Sequence, residues 1–372
     1  MRVLFIANSC VCYGANNSLL DLTMALKKNI EVTVLLPGDG EMAKRLRKNN
    51  IEHYIIPYTM NASPLDLRHK RFENIINNML FLSDAIKIIK ERKVDLIHTN
   101  ASNVDFGAWL SIICGVPHVW HIRDVLEVTY PLKYDFPKLE KLLRKHADCL
   151  VSISKYVKKN TMAGKRNVIL YNGLNLDKYV IDKQSLFSKE TINLLHYGQI
   201  TEEKGVLDPI KAVQEIVERG YKNVVLNIVG AKSKYCMELM KYVNEHHLND
   251  YITFWGHQGN MRRFLEEADI VLSCALTQAF GRITAEGMLG ECLVIGANAG
   301  ATPELIQDGS TGYLYTAGDG VELAEKILFV YDNKERSREM VKRAKRTAIR
   351  RFDSKKYADN ILRIYESCLS KR

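Results

Sequence analysis

Short apolar runs alternate with amphipathic stretches along most of the chain. In the first half, apolar runs of strand length lie at residues 3–7, 32–36, 53–56, 94–98, 116–121 and 149–153. Amphipathic segments of helical length lie between several of them, at about 18–28, 41–49 and 71–92. Because continuous apolar runs are typical of strands buried on both faces, this alternation predicts a mostly parallel sheet with right-handed βαβ crossovers.

The same pattern restarts in the second half. Apolar runs at residues 192–196, 224–229, 252–255, 270–273, 294–295 and 312–315 alternate with helical stretches, and the tail from residue 321 is helical. Residues 177–190 are polar and lack periodicity, which indicates a linker. We therefore predict an α/β protein with two doubly wound domains, 1–173 and 174–356, and a C-terminal helix at about 357–372 that packs back on the first. Ligands bind at the carboxyl ends of such strands, so two facing domains predict a central cleft.

Composition agrees with this architecture. The chain has 372 residues, 47% hydrophobic and 26% charged, as expected of a soluble globular protein with about two domains. No apolar run approaches the roughly 20 residues that span a bilayer, and the N-terminus is too short and strand-like for a signal peptide. The eight cysteines include no C-x-x-C pair, which favours reduced thiols over a zinc site and predicts a cytoplasmic protein.

The chain carries a formal net charge of +10. Nucleic acid, an anionic membrane surface or a phosphorylated substrate would each explain this charge. No nucleic-acid partner is expected, because the basic residues are dispersed on helices and no recognition module is present. Solvated helix faces best explain each basic run taken singly. The run at 138–145, with Leu139, Leu142 and Leu143 beside its lysines, favours peripheral contact with anionic lipid as its functional interpretation.

The segment 278–286, Q-A-F-G-R-I-T-A-E, carries the clearest candidate chemistry. It predicts a polar loop that enters a helix near Phe280, Gly281 and Arg282, where unpaired backbone N–H groups favour anions. Gly281 allows close backbone approach to a ligand, and Glu286 lies just inside the helix, within reach of hydroxyls. Such a site suits a ligand that is half phosphate and half sugar.

A second strand–loop–helix unit lies upstream, at residues 198–205, G-Q-I-T-E-E-K-G. Lys204 lies in the loop of this unit. An ammonium group there would neutralise the growing charge of a departing diphosphate. A solvated lysine in an acidic run is the alternative explanation. The presence of the helix-start segment favours the functional interpretation.

Over nearly its whole length the chain resembles the retaining glycosyltransferases of family 4, which have the GT-B fold of two Rossmann-like domains facing a central cleft. The E-x7-E signature of that family aligns with Gln278 to Glu286, and its G-R-x4-K-G loop aligns with residues 198–205. Segments 280–288 and 296–304 are similar to bacterial polysaccharide members. The segments Y-G-A-N at 13–16 and V-W-H-I-R-D at 119–124 fit their acceptor-side loops.

The resemblance implies roles for individual residues. It implies three catalytic residues, His121, Lys204 and Glu286. The implied donor-binding residues are Gly14, Gln199, Lys204, Gln278, Phe280, Gly281, Arg282, Ile283 and Glu286, and the implied acceptor-binding residues are Asn16, Arg123 and Asp124. A packed core histidine and a turn glycine are the alternative explanations for His121 and Gly14. A surface residue explains Arg282 equally well, and a local salt bridge explains Arg123 and Asp124.

Two residues depart from the family pattern. Gln199 stands where the family usually has arginine, and Gln278 stands where it usually has glutamate. Glutamine keeps hydrogen bonding but loses charge, so its contacts are weaker than charge-assisted ones. Arg282 would restore the lost positive charge. These departures concern the identity of the donor sugar more than the fold.

The predicted function is that of a retaining, metal-independent hexosyltransferase. The donor is a nucleotide-sugar, with UDP favoured because it is commoner among relatives. The acceptor is a glycan or lipid-linked chain in bacterial cell-surface polysaccharide biosynthesis, and an anionic membrane surface is a further partner, on the inner face of the membrane. No cofactor or metal is expected, since no D-x-D motif follows a donor strand. A sugar-nucleotide epimerase of the same fold and a non-catalytic partner subunit remain as alternatives.

Overall fold

The computed structural model describes residues 1–12, 14–126, 132–161, 166–183 and 186–370. Contacts divide the chain into two compact units. The first comprises Met1–Leu174 with Ser354–Arg372, and the second comprises Asn175–Asp353. The boundaries predicted from the sequence were 173/174 and about 357.

The first unit is built around a parallel sheet. The strands of this unit are β1 (Arg2–Ile6), β2 (Glu31–Leu36), β3 (Glu52–Ile55), β4 (Ala62–Pro64), β5 (Leu96–Thr99), β6 (His118–Ile122), β7 (Leu132–Tyr134), β8 (Cys149–Ser152) and β9 (Asn167–Ile169). Seven of them form the parallel sheet, in the order β3-β2-β1-β5-β6-β8-β9, and β4 and β7 form a separate antiparallel pair. The helices are α1 (Gly14–Leu26), α2 (Glu41–Lys48), α3 (Arg71–Leu80), α4 (Leu82–Glu91), α5 (Phe106–Cys114), α6 (Pro137–His146) and α7 (Lys155–Asn160), with a 3-10 turn at Leu65–Lys70.

The sheet of the first unit is covered on both faces, which explains its continuous apolar strands. Val3 and Phe5 of β1 pack into one core cluster, and Leu4 and Ile6 pack into another on the opposite face. The C-terminal helix α16 (Ser354–Leu369) contributes to the first of these clusters. The C-terminal helix thus completes the core of the first unit, although it lies far from β1 in the sequence.

The second unit contains a six-stranded parallel sheet. Its strands are β10 (Ile192–Tyr197), β11 (Val224–Val229), β12 (Ile252–Phe254), β13 (Ile270–Ser273), β14 (Leu293–Ala297) and β15 (Tyr313–Tyr315). Their order in the sheet is β12-β11-β10-β13-β14-β15. Its helices are α8 (Leu176–Tyr179), α9 (Leu207–Glu218), α10 (Lys234–Glu245), α11 (Arg262–Glu267), α12 (Arg282–Leu289), α13 (Thr302–Leu305), α14 (Gly320–Asp332) and α15 (Lys334–Phe352), with a 3-10 turn at Glu202–Lys204. The predicted α/β class with two doubly wound sheets is confirmed.

Strand order reverses between β10 and β13 in the second unit. Crossovers from β10 proceed through β11 to β12 on one side, and the chain then returns to β13 on the other. In doubly wound sheets, the crevice at the carboxyl ends of the two strands that flank such a reversal is where ligands bind. Both loops predicted to carry donor chemistry follow these two strands.

Some predicted elements differ from the observed ones. The single helix predicted over 71–92 is two helices, because Phe81 between them leaves helical geometry with φ −94° and ψ 0°. The three-residue strands β4, β7 and β9 were not predicted. Among the described residues, no helix combines the length and the hydropathy needed to cross a membrane.

Candidate donor site

The two predicted donor loops contact each other. The backbone N–H of Leu276, after β13, donates to the carbonyl of Glu203, after β10, at 3.0 Å. Gly205 adopts φ +62°, and a Cβ there would lie 2.0 Å from the carbonyl oxygen of Cys274. Only glycine suits a left-handed position with so little space. The loop that carries Lys204 is thus held directly against the loop that leads into α12.

Glu286 is buried and held between two donors. The Tyr197 hydroxyl, at the end of β10, donates to Oε2 at 2.9 Å, and Arg282 Nε donates to Oε1 at 3.0 Å. These bonds use two of the roughly four acceptor positions of a carboxylate. Burial, and secondly the charge of Glu286, raises the pKa of Tyr197 well above its usual range, so the hydroxyl stays a donor. The carboxylate is thereby fixed in orientation before any ligand binds.

Arg282 is the first residue of α12, and its guanidinium faces inward. Besides Glu286, it donates through one terminal nitrogen to the Tyr179 hydroxyl at 3.2 Å. The predicted pairing with phosphate would involve a guanidinium that already donates to Glu286 and Tyr179. That pairing stays a prediction.

The helix begins at Arg282, as predicted, and Gly281 before it adopts φ +98°. The Gln278 side chain lies beside this turn: its Cγ and Nε2 are 3.4 Å and 3.5 Å from the position that a Cβ on Gly281 would occupy. The Gln278 carbonyl accepts from the Ala301 N–H at 2.7 Å. The backbone of Gln278 is therefore anchored beside the start of the helix, and the residue is 8% exposed.

The remaining donor-side residues surround these groups. Phe280 is buried, with its ring edge-on to Phe352 at 5.6 Å between centroids. Ile283 Cδ1 lies 3.5 Å from the position of a Cβ on Gly198, which again connects the two loops. Gln199 is exposed, and Lys204 is half-buried at the end of its 3-10 turn.

Sequence reasoning missed three residues of this site: Tyr179, Tyr197 and His196. His196 is buried at the end of β10, where Nδ1 contacts the Leu272 carbonyl at 3.0 Å and Nε2 has no hydrogen-bond partner among the described residues. Burial, together with the nearby positive charge of Lys204, lowers the pKa of His196 to about 4. The sequence does contain a signal for His196 and Tyr197: a polar and an aromatic residue occupy the last two positions of a strand that precedes a glycine loop.

On the first unit, His121 has no exposed surface. Its ring lies 5.4 Å from His98 and 6.2 Å from Tyr357 of α16, between centroids. In the part of the chain that the structure describes, neither ring nitrogen has a hydrogen-bond partner, and burial lowers the pKa of His121 well below its usual range. The imidazole is neutral. Contact with the transferred sugar is not available to it in this conformation, and its predicted role stays untested.

The predicted acceptor residues mostly have internal partners. Arg123 is buried and donates to the side-chain oxygens of Asn100 at 2.9 Å and Asn172 at 2.6 Å. A terminal nitrogen of Arg123 also lies 3.5 Å from the Tyr357 hydroxyl, so the guanidinium is held by neutral groups, and its predicted acceptor role stays a prediction. The backbone N–H of Asp124 donates to Ser102 Oγ at 3.0 Å, and its half-buried side chain lies near Tyr134.

Gly14 and Asn16 lie in the first turn of α1, directly after the loop that follows β1. Asn16 is buried and donates to the carbonyls of Ser9 at 2.8 Å and Val11 at 2.7 Å, so it holds the loop in shape. Gly14 is exposed, and a Cβ there would meet nothing within 4 Å, so packing does not require glycine. Tyr13 of the same motif lies outside the described residues.

Two protein families match this chain, and they meet near its unit boundary. The family described as glycosyltransferase family 4 matches residues 13–178, and the family described as glycosyl transferases group 1 matches residues 177–347. Together they extend over most of the chain.

Individual relatives are similar at low identity. N-acetyl-alpha-D-glucosaminyl L-malate synthase of Bacillus anthracis is 28% identical over 52% of this chain and 50% of its own length, so the chain matches half of that relative. The capsular polysaccharide biosynthesis glycosyltransferase CapM of Staphylococcus aureus is 23% identical over 81% of this chain and 80% of its own. The Anabaena protein HepE, solved in complex with UDP, has a TM-score of 0.83 at 21% identity and covers 99% of this chain and 100% of its own. HepE has also been solved with UDP-glucose.

Proposed function

The chain belongs to the family 4 glycosyltransferases of the GT-B fold, and from this premise we propose that it is a retaining, metal-independent enzyme that transfers a sugar from a UDP-sugar. The acceptor is a glycan or lipid-linked chain in bacterial cell-surface polysaccharide biosynthesis, and the protein contacts an anionic membrane surface peripherally. Similarity to a capsular polysaccharide glycosyltransferase supports the pathway, and the fold shared with a protein solved with UDP and UDP-glucose supports the donor.

One observation carries the donor-side proposal. A buried, pre-oriented carboxylate, Glu286, lies in the first turns of α12, and the loop of Lys204 is hydrogen-bonded to the loop that enters that helix. The carboxylate suits ribose hydroxyls, while the helix N-terminus and the ammonium group suit a diphosphate. Together they match the two halves of a nucleotide-sugar.

In the proposed mechanism the diphosphate leaves while its growing charge is stabilised by Lys204 and by the N–H groups at the start of α12. The acceptor hydroxyl attacks from the same face of the sugar, and its proton passes to the departing phosphate. Tyr197 and Arg282 act as positioning residues, because they hold Glu286 rather than the reacting atoms. Metal independence rests on the lack of a D-x-D motif after a donor strand.

The test combines a donor panel with two site variants. The pure protein is incubated with UDP- and GDP-sugars, and nucleotide release, transfer and isomerisation are followed. We expect Lys204→Ala to lower kcat/KM by about 100-fold or more, the usual effect of removing a group that stabilises developing charge. Glu286→Gln weakens charge-assisted hydrogen bonds to the donor and should lower kcat/KM by roughly 10-fold to 100-fold. Thermal melts check that both variants are folded, and Glu286→Ala should agree with the isosteric change.

A matched control lies in the same unit. Lys241 and Glu245 of α10 form an exposed pair with Nζ 3.6 Å from Oε1, and alanine at both positions should leave turnover unchanged. Wild-type turnover in both site variants would show that the donor-site assignment is wrong. Isomerised nucleotide-sugar would identify an epimerase, and failure to bind any nucleotide would leave the partner-subunit alternative.

A further inference from the structure

Helix α3 of the first unit shows its apolar face to solvent. Phe72, Ile76, Met79 and Leu80 are 57–68% exposed. Their spacing of four, seven and eight residues from Phe72 places them on one face of the helix. Surface helices of globular proteins normally present the opposite face outward, so this orientation requires an explanation.

Polar contacts fix the helix in this orientation. Asn74 donates to Asp135 Oδ2 at 3.0 Å, and Asn77 donates to the Pro57 carbonyl at 2.7 Å. Asn78 is buried and accepts from the Thr59 N–H at 2.6 Å. If the helix rotated to bury its apolar face, these bonds would break and buried polar groups would lose their hydrogen-bond partners. The apolar face is therefore held outward by the fold.

A basic helix lies next to α3. The Phe72 ring packs edge-on against Phe136, the residue before α6, with 5.4 Å between centroids. The Arg71 guanidinium lies over both rings, at 5.0 Å and 5.5 Å. The two helices thus begin side by side, and the exposed residues of both belong to one region of the first unit.

The exposed face of α6 carries three lysines for which no ion pair with another described residue is found. Lys138, Lys141 and Lys145 share it with Leu142, which is 64% exposed. The acidic residue of the helix, Glu140, is buried and bonded to Arg144 at 2.6 Å. It does not offset the lysines at the surface. Near α3, Asp66, Lys70 and Glu73 are exposed, and the half-buried Arg71 lies over the two rings.

We propose that the apolar face of α3 and the lysine face of α6 together form the surface that binds an anionic lipid bilayer. Side chains of α3 enter the boundary between head groups and acyl chains, and the lysines of α6 contact the head groups. An apolar face with adjoining lysines is typical of interfacial helices, and an acidic surface complements this charge. A protein partner would be favoured by the apolar face alone, but the three lysines favour lipid. This inference rests on the membrane contact in the proposed function and identifies where it is made.

The experiment is co-flotation of the full-length protein with vesicles of phosphatidylcholine, with and without phosphatidylglycerol. Wild-type protein should float with the anionic vesicles. The triple change Lys138→Gln, Lys141→Gln and Lys145→Gln should weaken binding on the order of 100-fold, at about fivefold per lysine. The triple change Ile76→Gln, Met79→Gln and Leu80→Gln should weaken it by roughly tenfold or more.

The matched control changes exposed methionines elsewhere. Met237 and Met240 lie on α10 of the second unit and are 60% and 39% exposed, so Met237→Gln with Met240→Gln should leave flotation unchanged. Equal binding to neutral and anionic vesicles, or no wild-type binding, would overturn the proposal. So would self-association, measured by light scattering, that the α3 variant abolishes. UDP-induced thermal shifts, measured on every variant, show separately whether the donor-side proposal fails.

Discussion

Asp105 is a buried carboxyl group of the first unit whose protonation can be tested directly. It precedes α5 and is 5% exposed, and its Oδ2 accepts from Trp109 Nε1 at 3.2 Å. Within the described structure its Oδ1 has no hydrogen-bond partner. Burial, and secondly the negative charge of Glu140, raises the pKa of Asp105 to about 7. The carboxyl group is therefore protonated in the folded protein at mildly acidic pH.

The sign of the effect follows from this raised pKa. An unfolded aspartate has its ordinary pKa near 3.9. The contribution of protonated Asp105 to the unfolding free energy is therefore complete below about pH 4 and is lost as pH rises through about 7. Between pH 5 and pH 8 the loss amounts to about 2.5 kcal/mol of unfolding free energy. The buried neutral histidines change the unfolding free energy with pH in the opposite direction. Comparing the wild type with a variant at the same pH cancels the effect of these histidines.

The perturbation is Asp105→Asn, which keeps the shape and removes the titration. Its unfolding free energy minus that of wild type should rise by about 2.5 kcal/mol from pH 5 to pH 8. Urea unfolding followed by tryptophan fluorescence measures it, because Trp109 and Trp120 both lie in the first unit. Asp332→Asn, an exposed change at the end of α14, should give a flat difference. A flat difference for Asp105→Asn as well would refute its protonation in the fold.

Two further predictions concern the donor site. Tyr197→Phe removes a buried hydrogen bond to Glu286, so it should lower the unfolding free energy by about 1.5–3 kcal/mol and raise the KM for donor with a smaller change in kcat. Urea unfolding and steady-state kinetics measure both; an unchanged KM would show that the tyrosine does not position the carboxylate. Gly205→Ala should destabilise the protein more than Gly220→Ala and abolish the UDP-induced thermal shift. Both glycines have positive φ, but a Cβ at Gly220 meets nothing within 4 Å, so equal melting temperatures would show that the contact with Cys274 is unimportant.

The strands of both sheets could be predicted because parallel strands are buried on two faces and read as apolar runs. The strands Val224–Val229 and Ile270–Ser273 have the predicted bounds. The orientation of α3 could not be predicted. Helical periodicity shows that a face is apolar, and tertiary contacts decide which face points inward. In α3 those contacts are made by asparagines, which form buried hydrogen bonds that a hydrophobicity pattern does not register.

The donor loops show the same division between local and tertiary information. Glycines and a helix start gave the positions of Lys204 and Glu286, because turn and cap chemistry is local. The partners of Glu286 were not predictable in this way. Tyr197 lies at the end of β10, whereas Glu286 lies on the helix that follows β13. Their contact therefore depends on the neighbouring positions of β10 and β13 in the sheet.

The structure also gives the two departures from the family pattern a joint interpretation. Glutamine at 199 removes one positive charge, and glutamine at 278 removes one negative charge, so the net charge of the donor loops is the one the family pattern would give. The charge of Arg282 does not simply add to the site, because Glu286 holds its Nε at 3.0 Å. In the proposed mechanism, the diphosphate is then left with Lys204 and the N–H groups of α12 as its main source of positive potential. For this reason we expect transfer to depend more steeply on Lys204 here than in a relative that also carries arginine at the position of Gln199.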